Sequence, residues 1–359
     1  MIATSNKSYI KYSWFLMGMV FLVILAGGVV RMTQSGMGCP DWPTCFGMWI
    51  PPTDANQLPA DFEKYLSQQD IDHSFNVYHT WIEYINRLLG AILGVFIFAY
   101  AIWTSVKFSN RKSRMKLLLL SNFCQSFFLI IFAVAGFTLL FKLAVVVFLL
   151  SVLYSLYFAI RNTFSRSLVI VSILLLIAVA VQGWLGKMVV DGNLSVVKIT
   201  IHMIGALVIA ALPLINISKL KQNKIKVTPV IKYLMSGMVI VILFQIILGT
   251  QVREEIDVIS KALSYGQREL WIDRLGYIFF VHRSFSWLVL IGTLALIIKG
   301  RDIIEFTTKC RWIAINVLCT VGLGISMAHF DIPALSQPLH LLMACILLMQ
   351  LFYGRIRII

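Results

Sequence analysis

Runs of about twenty apolar residues, most of them closed by small basic clusters, recur along the whole chain. A run of that length crosses a bilayer as a helix. No backbone N–H or C=O can go unpaired in hydrocarbon, so such runs leave little open but a packed set of spanning helices. Composition agrees: 59% of residues are hydrophobic and mean hydropathy is +0.85, well outside the soluble range. The net charge of +15 would suit a nucleic-acid binder. The basic residues lie between apolar runs, however, where they set membrane orientation instead, so no nucleic-acid partner is expected. The first run, about 13–30, leads into Arg31 without a small-residue cleavage motif. It is expected to be a membrane helix and not a cleaved signal.

Helices are expected at about 13–32, 80–105, 116–134, 138–160, 167–190, 197–217, 230–250, 276–298, 311–328 and 336–354. Charge tests this set. Lys7 and Lys11 precede the first helix, Lys107 to Lys116 follow the second, and Arg161 and Arg166 follow the fourth. Lys219 to Lys232 follow the sixth, Lys299 to Arg311 the eighth, and Arg355 and Arg357 close the chain. Ten crossings put every cluster on one side, which the positive-inside bias makes cytoplasmic, together with both termini. This requires 116–160 to be a hairpin turning at "AVAGFTLLFK", or not to cross, so eight to ten spans are expected. Long loops at 34–78 and 251–275 then lie outside, and loops of that length tend to be functional.

The chain also repeats itself. "GGVVRMTQSG" ends a helix, a long loop follows, and "EYINRLLGAILG" opens the next; later "VQGWLG" ends a helix and "TIHMIGAL" opens another. In the second half "ILGTQVREE", "FFVHRSFSWLVL", "VGLGISM" and "PLHLLMAC" take the same places. The expected fold is an all-α polytopic membrane protein of two pseudo-symmetric four-helix bundles, residues 1–228 and 229–359, with 116–160 as an extra hairpin in the first. Repeats of this kind commonly place sites at their interface.

The repeat carries polar residues inside apolar helices, where they are costly and mark function. Asn86, His202, His282 and His340 each fall about four to seven residues past the outer end of a helix, so about 6–10 Å deep. Matched depth on different helices suits axial ligation of heme iron by His282 and His340. Arg87 and Arg283, each following one of these residues, have the chemistry to pair with heme propionates at the membrane edge. Any single histidine serves equally well as polar glue between helices. His202 stays open between the two roles, because its repeat-mate is Asn86 and asparagine is a poor iron ligand. A site held by His202 alone would be five-coordinate, with one iron face open. Glu83 shares a helix face with Asn86. It either pairs with Arg87 or donates a proton or contacts substrate. His79, one turn further out, is expected at the interface.

Cys39 and Cys45 bracket "CPDWPTC" in the first outer loop, where an oxidising compartment allows a disulfide or a redox-active pair. Their spacing is not that of a zinc site. Cys124, Cys310, Cys319 and Cys345 read as packing residues. The glycines of the apolar helices read as close-packing positions, and no phosphate-binding glycine motif is present in the right context.

With these residues in place the chain resembles the heme A synthase family. "GGVVRMTQSGMGCPDWPTC", "EYINRLLGAILG", "VQGWLG…TIHMIGAL", "IFFVHRSFSWLVL" and "DIPALSQPLHLL" are similar to the family's motifs in order, over about 13–105 and 167–354. The resemblance implies eight core helices as two four-helix bundles, heme b in the second half, and oxidation of heme O in the first. The implied reaction converts a ring methyl to a formyl group with dioxygen and electrons, for heme–copper oxidase assembly at the bacterial plasma membrane. Carried over, His282 and His340 would ligate the cofactor heme and His202 would serve the substrate heme. Glu83 would match the acidic residue tied to catalysis, and Cys39 and Cys45 the outer cysteine pair. A heme O synthase (a farnesyltransferase) and oxidase assembly factors are the implied partners. The chain departs from the family at Asn86, where a histidine is common, and in the hairpin at 116–160. Two other classes fit parts of the pattern. A b-type cytochrome oxidising quinol would need two bis-ligated hemes or a quinone site. A heme transporter would need helices unwound at mid-membrane, whereas glycine and proline here sit mainly at helix ends.

Overall fold

The structure, a computed structural model, describes residues 2–67, 75–134, 138–192, 194–221 and 223–359. Residues 68–74 of the first expected outer loop, the hairpin tip 135–137 and position 222 in the basic connector lie outside the described residues. The helices are α1 (Ile2–Met32), α2 (Glu63–Ser67), α3 (Val77–Lys107), α4 (Lys112–Val134), α5 (Thr138–Arg161), α6 (Arg166–Asp191), α7 (Val196–Leu220), α8 (Pro229–Ala262), α9 (Tyr277–Gly300), α10 (Ile304–His329) and α11 (Ser336–Arg357). Among the described residues nine helices are long and apolar enough to cross a membrane, and no strands form. The protein is therefore an all-α polytopic membrane protein.

Chain contacts divide it into two compact units, residues 1–93 with 180–359, and residues 94–179. In the first unit α8 packs on α9, α9 on α10, α10 on α11 and α11 back on α8, a closed ring of four helices. Short connections make successive helices antiparallel, so α9 and α11 run the same way on opposite corners of the ring. Outside the ring, α1 packs on α7 and α11, and α7 on α8 and α11. The approach of α1 to α11 depends on Gly28: a Cβ there would stand 2.9 Å from Pro338 Cβ. The connector after α7 lies beside the end of α11. Ile225 N–H donates to Arg357 O at 3.0 Å, Ile359 N–H donates to Ile225 O at 3.0 Å, and the Arg357 guanidinium donates to Lys221 O and Asn223 O. The basic clusters at 219–232 and 355–357 thus share one end of the unit.

In the second unit α4 and α5 pack as a hairpin. A polar seam joins them: Asn122 Nδ2 donates to Ser155 Oγ at 2.9 Å, and Ser151 Oγ donates to Asn122 Oδ1 at 2.6 Å. Such pairs are specific glue in an apolar medium. The segments flanking the hairpin are bonded together. Asn110 N–H donates to Asn162 O at 2.7 Å, Phe164 N–H to Phe108 O at 3.2 Å, and Thr163 Oγ1 to Phe108 O at 2.7 Å. The clusters at 107–116 and 161–166 therefore lie at the same end, as the charge pattern requires of a hairpin.

The second expected outer loop is partly helix. Expected to end near 250, α8 continues to Ala262, 34 residues in all. Val252, Ile256 and Ile259 recur at helical spacing. Val252 and Ile256 are buried with Trp271, Leu275 and Ile332. The charges that resemble loop residues in sequence form the other face, where Asp257 pairs with Arg31 and, at 2.9 Å, with Arg253.

Candidate heme site

His282 and His340 project from α9 and α11, five and four residues past the helix starts at Tyr277 and Ser336. Opposite corners and parallel directions bring them together inside the ring. Their imidazole centroids are 6.3 Å apart, with ring planes inclined at 69°. Two imidazoles sharing one metal at about 2 Å per bond, each adding its own ring radius, hold their centroids roughly 6 Å apart. The pair fits an iron between them. A cavity of about 330 Å³ surrounds both rings, lined mainly by apolar side chains of α8 to α11, with Gln245, Arg31, Arg253 and Arg283 among its few polar groups. That is the make-up of a cofactor pocket.

The ring nitrogens differ. His340 Nδ1 lies 2.9 Å from Thr320 O, which holds that ring by one nitrogen and leaves Nε2 for a metal. His282 Nδ1 is buried without a partner; its residue is held through the backbone, Gln245 Nε2 donating to His282 O at 3.0 Å. Of the cavity's arginines, Arg31 and Arg253 are committed to Asp257. Arg283 is exposed and stacks on Phe279 and Phe280, 5.7 and 5.4 Å from their centroids. It is placed to meet an acidic group at the cavity's edge.

The first-half residues are arranged differently. His202 lies on α7, six residues past Val196. Its Nδ1 is buried without a partner, and Gln182 Nε2 of α6 donates to His202 O at 2.8 Å. Asn86 lies nine residues past the start of α3. It is further from its helix start than expected because α3 opens at Val77, three residues before the expected 80. Its Oδ1 is buried and unpartnered.

Glu83 and Arg87 form a buried ion pair at 2.5 Å, the first of the two roles open for Glu83 in the sequence. The pair also binds the loop closed by the Cys39–Cys45 disulfide. Cys39 N–H donates to Glu83 Oε2 at 2.8 Å. Arg87 donates to Asp41 O at 2.5 Å, Thr44 O at 3.1 Å and Cys39 O at 2.7 Å, besides reaching Glu83 through Nε and Nη2. All five of its N–H groups are thereby engaged within the protein. The propionate contact expected of Arg87 finds no free donor there. His79, one turn further out on α3, has its Nδ1 2.9 Å from Ser35 Oγ, just before that loop.

Sequence reasoning missed Gln182, Gln245 and the Thr320 carbonyl, which hold the histidines. A signal was present: a glycine stands four residues after each of the three, in "QGWLG", "QIILG" and "TVGLG".

Fold and cavity together define a polytopic helical membrane protein with facing imidazoles in an internal apolar pocket. The chain belongs to the cytochrome oxidase assembly protein family, whose model matches residues 11–131 and 142–352. It is similar to the heme A synthase of Shewanella oneidensis, 33% identical over 90 residues, covering 24% of this chain and 26% of that one. The heme A synthases of Exiguobacterium sibiricum (31% over 107 residues, 30% and 29% covered) and Orientia tsutsugamushi strain Boryong (30% over 111 residues, 29% and 31% covered) are also similar. The chain thus spans between a quarter and a third of the length of these curated relatives.

Proposed function

We propose that the protein is a heme A synthase, an oxidoreductase that converts the ring methyl of heme O to a formyl group using dioxygen and electrons. The observation that carries this is the His282–His340 pair, 6.3 Å apart in its apolar cavity, in a member of this family. Residues 229–359 form the cofactor half: His282 and His340 would hold heme b, and Arg283 would meet its propionates. Heme b, when bound, supplies a one-electron redox centre. Residues 1–228 form the substrate half, where His202 binds heme O. Asn86, the repeat-mate of His202, would add no strong ligand. Glu83, one helical turn from Asn86, is a buried carboxylate of this half; with Arg87 it holds the disulfide loop in place.

By the positive-inside bias the basic clusters would face the cytoplasm, and the disulfide loop would face outward from a bacterial plasma membrane. A heme O synthase is the partner that would deliver the substrate. The test is product analysis: cells supplied with heme O and expressing the protein should yield heme A and its alcohol intermediate, identified by mass. Purified protein that carries heme but never yields either product would overturn the assignment.

A further inference from the structure

Each of the three histidines is met on the preceding membrane helix by the same device, two positions four residues apart. On α8, Gln245 bonds the His282 carbonyl, and a Cβ added at Gly249 would meet His282 Cε1 at 3.5 Å. On α6, Gln182 bonds the His202 carbonyl, and a Cβ at Gly186 would meet His202 Cε1 at 3.5 Å. On α10, Thr320 O holds His340 Nδ1, and a Cβ at Gly324 would meet His340 Cε1 at 3.3 Å. Positions i and i+4 share a helix face, so a hydrogen bond and a stretch of bare backbone address one histidine from the same side. Neighbouring glycines do not do this. Gly183, Gly237 and Gly322, on the same three helices, would meet nothing within 4 Å. The position before Asn86 in the repeat is Gly27, whose added Cβ would meet Asn86 Oδ1 at 3.9 Å.

We propose that Gly186, Gly249 and Gly324 are seats for the histidine rings, and that with Gln182, Gln245 and Thr320 they are positioning residues for heme ligation. This rests on the heme assignment above. The seat sets the plane of each ring, since any branched side chain at the glycine occupies the space of the imidazole edge. The residue four positions earlier sets the histidine's height and, for His340, its tautomer. A ligating imidazole normally donates its second N–H to a fixed acceptor. His340 has one in Thr320 O. His202 and His282 have a free Nδ1, and the glutamines bonded to their own carbonyls each carry a buried, unpartnered Oε1. Those amide oxygens are acceptors of the right kind, on side chains already committed to the same residue.

The experiment uses the purified full-length protein, with heme content per chain and low-spin ferric EPR as readouts. The g-anisotropy of that signal follows the angle between the axial ring planes, so it reports ring orientation apart from folding. Gly249→Val and Gly324→Val should lower low-spin heme by roughly tenfold or more, the scale on which outer partners of metal ligands act. Gly322→Val, two residues away in open space, should change neither readout. The alanine variants give a finer test: Gly324→Ala should shift the g-values, because 3.3 Å is a tight contact, while Gly249→Ala at 3.5 Å should leave them in place. Gln245→Leu should shift the reduction potential of the second-half heme with heme content retained. Wild-type heme content and g-values in Gly324→Val, or equal loss in Gly322→Val, would overturn the proposal. If the valine variants do not fold, the opposite expectations for the two alanine variants still decide. Wild-type protein without low-spin heme would remove the heme assignment itself, and the seats with it.

Discussion

The α9/α11 histidines and the α3/α7 positions use one helical scheme with different outcomes. In the second half two imidazoles face each other across an apolar cavity in a closed helix ring. In the first half one imidazole is seated in the same manner, but its repeat-mate is an amide, and the adjoining turn of α3 is tied through Glu83 and Arg87 to a disulfide loop. A pair of strong ligands on rigid helices suits a heme that stays. On the same reading, a single ligand would suit one that must enter, react and leave. On the proposed function, the repeat would separate retention from turnover by changing one ligand and one flanking segment.

The harshest way to break this comparison is to remove a ligand from the retained site. His282→Ala or His340→Ala should abolish the second-half low-spin heme, read as loss of its spectrum in purified protein; a wild-type spectrum in both would refute axial ligation. His202→Ala should empty the first half and spare the second, so extracted heme b stays while bound heme O falls to background. Glu83→Gln leaves Arg87 as an uncompensated buried cation, a change that costs about 3–5 kcal/mol in buried pairs. Conversion of heme O should fall by about 10²-fold, the low end for a lost acid–base group, with second-half heme retained. Product analysis beside thermal melts would separate chemistry from loop stability, and full conversion would take the carboxylate out of the mechanism. Asn86→His should make the halves alike: resonance Raman of the heme O complex should move towards six-coordinate low spin, and turnover should slow. A wild-type heme O complex that is already wholly six-coordinate low spin would end the open-face account. The mildest test concerns orientation. A cysteine replacing Lys224 should resist outer-face labelling, whereas one replacing Asn56 should react; the reverse result would invert the topology.

By itself the sequence determined the helices, their order and, within each compact unit, which basic clusters share an end. Apolar runs in a bilayer have one local solution, the helix, and charge cannot rest in its middle. It also nominated His202, His282, His340 and Glu83, because ionisable groups at matched depth stand out against an apolar background. The long loop expected at 251–275 was misread in part, since the charges of "REEID" mask the stripe of Val252, Ile256 and Ile259 that buries the end of α8. Only the tertiary structure decided which polar groups meet. Arg87 is expected to meet Glu83 or a propionate; besides Glu83, its donors reach carbonyls 43 to 48 residues away. Gln182 and Gln245 each reach the backbone of a histidine on the next helix, a contact that no pattern within one segment marks. The physical reason is range: hydropathy and helical period act within a few turns of one segment, whereas a hydrogen bond or a glycine seat depends on which helix faces lie a few ångströms apart, and packing alone sets that.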